Sequence, residues 1–246
     1  MKCSSWLTVV PTLDNGFFMS ANQFRDAVAL RYGRTPKNLP THCDADGEDF
    51  TVCHALNCKK GGLVTLRHNE LRDLNIDLAK TAGFRSVVKE PIIKESNVEG
   101  EGGLRADWSV RGFWEHQREA LFDCRIFNSD ALSYANTPLQ KLFESHRNEK
   151  KQQYCSAVED RRGTFTPFVV TCDAILDIEA EHYVKRLSSI LSEKWDKKCS
   201  VVISWVRAKI QISMLRSVSL CLRGSGTKWC SSFVEDGAAV PHLEMC

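Results

Sequence analysis

The amino-acid sequence predicts an α/β (α+β) protein whose core is a mixed sheet flanked by helices, in the order helix, three strands, helix, strand. Three observations predict this. Apolar residues change period along the chain, from helical spacing over 66–82 to short β-rich runs at 87–93, 104–110 and 120–127, then back to helical spacing. Glycine and proline punctuate the changes, as in NVEGEGG at 97–103 and at Pro138. Finally, each amphipathic helix needs a sheet face to bury against, which sets the layers.

Taken in order, ANQFRDAVALRY at 21–32 reads as a helix with Ser20 as its N-cap and Phe24, Val28 and Leu30 on one apolar face. Gly33, Pro36 and Pro40 end it, and a Cys/His-rich loop follows at 42–58. RGFWEHQRE at 111–119 suits a hairpin connection between the second and third strands. A helix is expected over 138–158 with proline in its first turn, and FTPFVVTC at 165–172 as the next strand. Beyond Ile178, Tyr183, Leu187, Ile190 and Leu191 recur at helical spacing, and a second apolar helix over 201–223 completes a C-terminal helical pair. The expected organisation is an N-terminal helical segment (1–40), a Cys/His loop (41–60), a mixed-sheet core (61–175) and a helical region (176–246).

Hydrophobic residues make up 43% and charged residues 26%, the balance of an ordinary globular protein. The net charge is only +2, so affinity for a polyanion must come from local clusters: Arg147 to Lys151, Arg161 with Arg162, and a basic run at 207–228. Eleven cysteines in a chain this long, after a start (MKCSSWLTVVP) with too short an apolar stretch for a secretory signal, point to reduced thiols. No stretch approaches the roughly 18 apolar residues of a membrane span. The expected compartment is therefore nucleus or cytoplasm, with no membrane partner and no secretion.

Two acids fall inside apolar strands, Asp107 in LRADWSV and Asp123 in ALFDCRI, where an unpartnered carboxylate costs several kcal/mol to bury. One compensation is pairing with Arg105 and Arg125. The other is a divalent cation: neighbouring strands can present two carboxylates side by side, and hard oxygen ligands suit Mg²⁺. The helix after the strands brings Lys150 and Lys151, and the helix before them brings Glu70. Acids, a cation and a lysine suffice for phosphodiester hydrolysis.

These residues resemble the PD-(D/E)xK nucleases, and more closely the restriction-like endonuclease that follows the reverse transcriptase in non-LTR retrotransposon polyproteins. RADWSV is similar to the family's Pro-Asp strand, with Ala106 in place of proline, and LFDCRI to its Val-Asp-Val strand. HRNEKKQQY resembles its Glu-Lys-x-x-Lys-Tyr helix, with Gln153 at the second lysine, and RHNELRD resembles its opening helix. No Tyr-x-Asp-Asp motif of a polymerase is present.

The resemblance implies a restriction-endonuclease-like αβββαβ fold. It implies Asp107 and Asp123 as ligands of Mg²⁺ or Mn²⁺, Lys150 as catalytic, and Glu70 as a direct or outer-sphere ligand. Arg125, Arg147, Lys151, Arg161 and Arg162 would meet nucleic acid, either DNA or an RNA–DNA hybrid.

CDADGEDFTVCHALNC at 43–58 resembles the Cys-Cys-His-Cys knuckle that precedes the endonuclease in those elements. Cys43, His54 and Cys58 match three ligands, and Asp46 stands where a second cysteine is expected. Asp46, Cys53 or His68 is available to complete a Zn²⁺ site. The expectation is nonetheless a degenerate loop without metal. The rival to the nuclease reading is a catalytically silent nucleic-acid-binding or interaction module.

Overall fold

Nine residues, Glu119–Phe127, form the longest strand, β5, because their alternation serves two cores at once. Ala120, Phe122 and Cys124 point into the main core, while Leu121 and Phe127 on the opposite face join smaller clusters with Tyr154 and Val158 and with Leu142 and Phe143. The computed structural model describes residues 4–13, 15–95 and 103–226. Most of the glycine-rich loop read at 97–103 and the stretch 227–246, including Lys228, lie outside them.

The described residues form six helices: α1 (Ala21–Arg31), α2 (Val52–Asn57), α3 (Leu63–Ala82), α4 (Leu139–Glu159), α5 (Ile178–Trp195) and α6 (Cys199–Arg223). The other strands are β1 (Val87–Lys89), β2 (Ile92–Lys94), β3 (Leu104–Arg105), β4 (Trp108–Arg111) and β6 (Thr164–Thr171). The main sheet has the order β1-β4-β5-β6; β5 and β6 are parallel and the other pairs antiparallel. The parallel pair is joined by α4, so α4 runs back along β5. Pro167 lies in β6, an edge strand, where a missing N–H is tolerated.

Two expected strands are each broken in two. The run at 87–93 stops at Glu90, whose φ is 51°, followed by Pro91, and the run at 104–110 stops at Ala106 and Asp107. β2 and β3 pair as a separate two-stranded sheet. Asp107 is thus not inside a strand but at the joint between two sheets, held by its N–H to the Phe122 carbonyl (3.0 Å) and its carbonyl to the Glu90 N–H (2.9 Å).

Trp108, Phe113, Phe122, Phe168 and Tyr183 pack together in the main core under α3, α5 and α6, with Trp108 stacked on Phe122 at 5.1 Å. α6 also carries the N-terminal segment: the Trp6 N–H donates to Gln211 Oε1 at 2.9 Å, and Ala27 packs with Ala208 and Ile212. α1 starts where Ser20 and Gln23 form a reciprocal capping box. Its buried face differs from the expected one, since Phe24 is exposed and Asp26 and Ala27 are buried. Asp26 is held by Arg223 at 2.6 Å and by the Ser219 hydroxyl at 2.9 Å. No helix among the described residues is long and apolar enough to cross a membrane.

Candidate active site

The geometry around Asp123 follows from α4 lying antiparallel to β5. Helix residues four apart share a face, so His146, Lys150, Tyr154 and Val158 line up along the strand. Lys150 Nζ reaches Asp123 Oδ2 at 2.6 Å, and the Tyr154 hydroxyl donates to Asp123 Oδ1 at 2.7 Å. Asp123 is 5% exposed. Burial pushes its carboxyl above the ordinary value, the nearby Asp107 charge adds to that, and Lys150 and Tyr154 oppose it. Burial and the Asp123 charge likewise raise the Tyr154 hydroxyl.

Asp107 arrives from the sheet joint. Its Oδ2 accepts the Cys124 N–H at 2.6 Å and pairs with His68 Nε2 of α3 at 3.1 Å. Burial disfavours the imidazolium, but the Asp107 carboxylate outweighs it and holds His68 above its ordinary value. Both contacts fall on one oxygen, and Oδ1 has no hydrogen bond among the described residues. Two acids and a lysine from the following helix are therefore neighbours, with the side chains of Asp107 and Lys150 14% and 15% exposed. Arg105 and Arg125 form no ion pair with either acid; Lys150, Tyr154 and His68 occupy those places.

Other expected site residues lie elsewhere. Glu70 is two residues from His68 on α3, which turns it to the far side of the helix; its charged neighbours are Arg216, Asp73 and Asp77. Arg147 pairs with Asp177 and Lys151 with Glu179, both at 2.6 Å, tying α4 to the start of α5. Arg161 donates to the Ile92 carbonyl of β2, and the Arg162 carbonyl accepts from Arg118 Nε at 3.0 Å. At the sheet joint itself, the structural residue Glu90 pairs with Arg72, which also holds Asp73 at 2.8 Å.

A second cluster lies in the Cys/His loop. The Gly47 N–H reaches the Cys43 carbonyl at 2.8 Å, and Thr51 caps α2 by accepting the His54 N–H at 3.0 Å. The turn brings Cys43 and Asp46 to α2, where His54 and Cys58, four residues apart, share a side. Ligand atoms of Cys43, Asp46, His54 and Cys58 all lie within 4.8 Å of one another, so the four can hold a metal ion. Asp46 is thus the fourth member; the Cys53 sulfur instead faces Asn57, and His68 belongs to the acid site. The Cys58 thiol donates to Asp46 Oδ2 at 3.2 Å, and burial together with that carboxylate pushes it up to about 11.

Sequence reasoning missed His68 and Tyr154 as members of the acid site. Tyr154 had a signal, since it lies one helical turn beyond Lys150. His68 had none, because its role depends on which side of α3 meets the sheet joint. No family model matches this chain, and no curated protein is significantly similar to it.

Proposed function

We propose that this chain hydrolyses phosphodiester bonds of DNA, nicking a strand with Mg²⁺ or Mn²⁺ held between Asp107 and Asp123. On this reading it is a restriction-endonuclease-like domain of retrotransposon origin. The observation that carries the proposal is the buried Asp123 receiving Lys150 at 2.6 Å while the N–H of the next residue, Cys124, holds Asp107 at 2.6 Å. A divalent cation fits this oxygen set. The Asp107 charge already raises the proton affinity of Asp123, a repulsion that a cation relieves, and Asp107 Oδ1 carries no hydrogen bond among the described residues. When bound, such a cation stabilises charge on the phosphate and acidifies water.

The chain's own groups have separable tasks. Lys150 offsets negative charge at the phosphate, Tyr154 and Lys150 orient Asp123, and His68 and the Cys124 N–H orient Asp107. In the Cys/His loop, Zn²⁺ suits the two sulfurs and one imidazole, with Asp46 as the oxygen ligand, in a structural role.

The test is nicking of supercoiled plasmid by the purified chain with Mg²⁺. Asp107→Ala and Asp123→Ala should each slow it by at least about 1000-fold. Equal nicking by wild type and Asp107→Ala sinks the reading. One observation favours the silent interaction module: both Asp123 oxygens and Asp107 Oδ2 already have partners from within the chain. Calorimetric titration with Mg²⁺ separates the two, since the module takes up no more cation than an Asp107→Asn/Asp123→Asn double variant.

A further inference from the structure

We infer that the level of β5 and α4 next to Asp123 and Lys150 is a subsite for a second backbone phosphate of the bound nucleic acid, with Arg125 as its cation. This rests on the phosphodiesterase reading and deepens it by naming where the strand continues.

β5 and α4 pack as a ladder. Leu121 clusters with Tyr154 and Val158, Asp123 meets Tyr154 and Lys150, and Phe127 meets His146 (centroids 4.5 Å apart) and Phe143 (5.5 Å). Arg125 points to the same face between the last two levels, and its charge acts on His146. Two strand residues advance about 6.6 Å, and four helix residues about 6 Å. Arg125 therefore lies one such step along β5 from Asp123, a spacing on the scale of successive phosphates along a nucleic-acid strand.

Arg125 lacks a counter-charge. Among the described residues it has no hydrogen bond or ion pair, and its Nε is buried without a partner. His146 is 6% exposed and its Nδ1 also has no hydrogen bond; the nearest carboxylate oxygen, from Glu149, is 3.7 Å away. Its α4 neighbours Arg147 and Lys151, and Arg223 of α6, by contrast each meet a carboxylate at 2.6 Å. A guanidinium stays charged at all relevant pH values, and keeping one partly buried and unpaired costs free energy that an anion removes.

A phosphate suits the vacancy because its oxygens match the planar fork of arginine. Burial and the Arg125 charge hold His146 below its ordinary value, and its Nε2 already meets the Tyr134 hydroxyl at 3.4 Å, so Arg125 alone is the cation of the subsite. The antiparallel ladder of β4 ends at Trp108 opposite Phe122, leaving Arg125 on a stretch of β5 with a strand neighbour on one side only.

The experiment is a fluorescence-anisotropy titration of the full chain with labelled duplex DNA and with an RNA–DNA hybrid, using Ca²⁺ in place of Mg²⁺ over a range of salt. Arg125→Ala should weaken binding about tenfold and lower the slope of log affinity against log salt by about 0.9. Arg125→Lys keeps the slope and part of the affinity, while Arg85→Ala, exposed on the turn after α3, changes neither. Arg125→Gln retains the bulk and polarity of the side chain if the alanine variant does not fold. Unchanged affinity and slope in Arg125→Ala or Arg125→Gln overturns the subsite, as does failure of the wild type to bind either probe. A wild type that does not nick plasmid but loses affinity and slope on Arg125→Ala ends the nuclease reading and leaves the subsite standing. A wild type that nicks while the Arg125 variants bind normally ends the subsite alone.

Discussion

Asp123 and Asp46 are both acids beside a candidate metal position, yet their surroundings are opposite. Asp123 sits in the longest strand, 5% exposed, with its two oxygens oriented by side chains of a packed helix. Asp46 lies on an exposed turn and is held by His54 and Cys58, which are themselves candidate ligands. In the first case the packed helix alone orients the carboxylate. In the second the ligands hold one another, so an ion there would contribute directly to the order of the loop.

This contrast can be broken in four ways. The largest expected effect is on Lys150. Lys150→Ala leaves a buried Asp123 without its cation and should cost about 3 kcal/mol in urea denaturation. Lys151→Ala, which breaks the more exposed pair with Glu179, should cost under about 1 kcal/mol. Equal losses would mean that burial does not distinguish the two pairs.

The loop comes next. Added Zn²⁺ should raise the melting temperature by about 5 °C, and Asp46→Cys should tighten Zn²⁺ binding at least about tenfold by supplying a third thiolate. An Asp46→Cys chain that binds Zn²⁺ no better than wild type would remove Asp46 from the ligand set.

His146 supplies the pH test. Its folded-state value lies below the ordinary 6.5, chiefly through burial and then through the Arg125 charge. The unfolded chain therefore takes up the proton first, and the stability His146 contributes is present above about pH 6.5 and lost as pH falls through the folded value. Relative to His146→Gln, the wild type should lose stability on acidification, followed by urea midpoints at each pH. A constant difference between the two chains across this range rules the mechanism out. The smallest effect is expected at Glu70: Glu70→Ala should change plasmid nicking less than about twofold, because the residue faces Arg216 rather than the acids. A loss comparable to that of Asp107→Ala would show that α3 turns in the catalytic state.

Local signals account for what could be read in advance. Ser20 with Gln23, Pro138 ahead of α4, and the uninterrupted β5 each announce an element through residues only a few positions apart. The four-strand mixed sheet and the helical pair after it follow from those elements. The break at Glu90 and Pro91 and its counterpart at Asp107 were not legible, because the two kinks match only when the strands pair. Nor does helical spacing say which flank of α3 meets the sheet, and on that choice depended His68 against Glu70. Lys150 was readable in kind, while Lys151 beside it was claimed by Glu179, a partner 28 residues further on.

The pair between Asp26 and Arg223 joins residues 197 positions apart. Asp26 is 2% exposed, so α1 buries a carboxylate whose guanidinium belongs to the last turn of α6. The carboxylate buried by α1 is therefore compensated only when residue 223 is in place. A chain cut before residue 223 would keep that carboxylate buried without its guanidinium, so the first and last of the six helices stand or fall together.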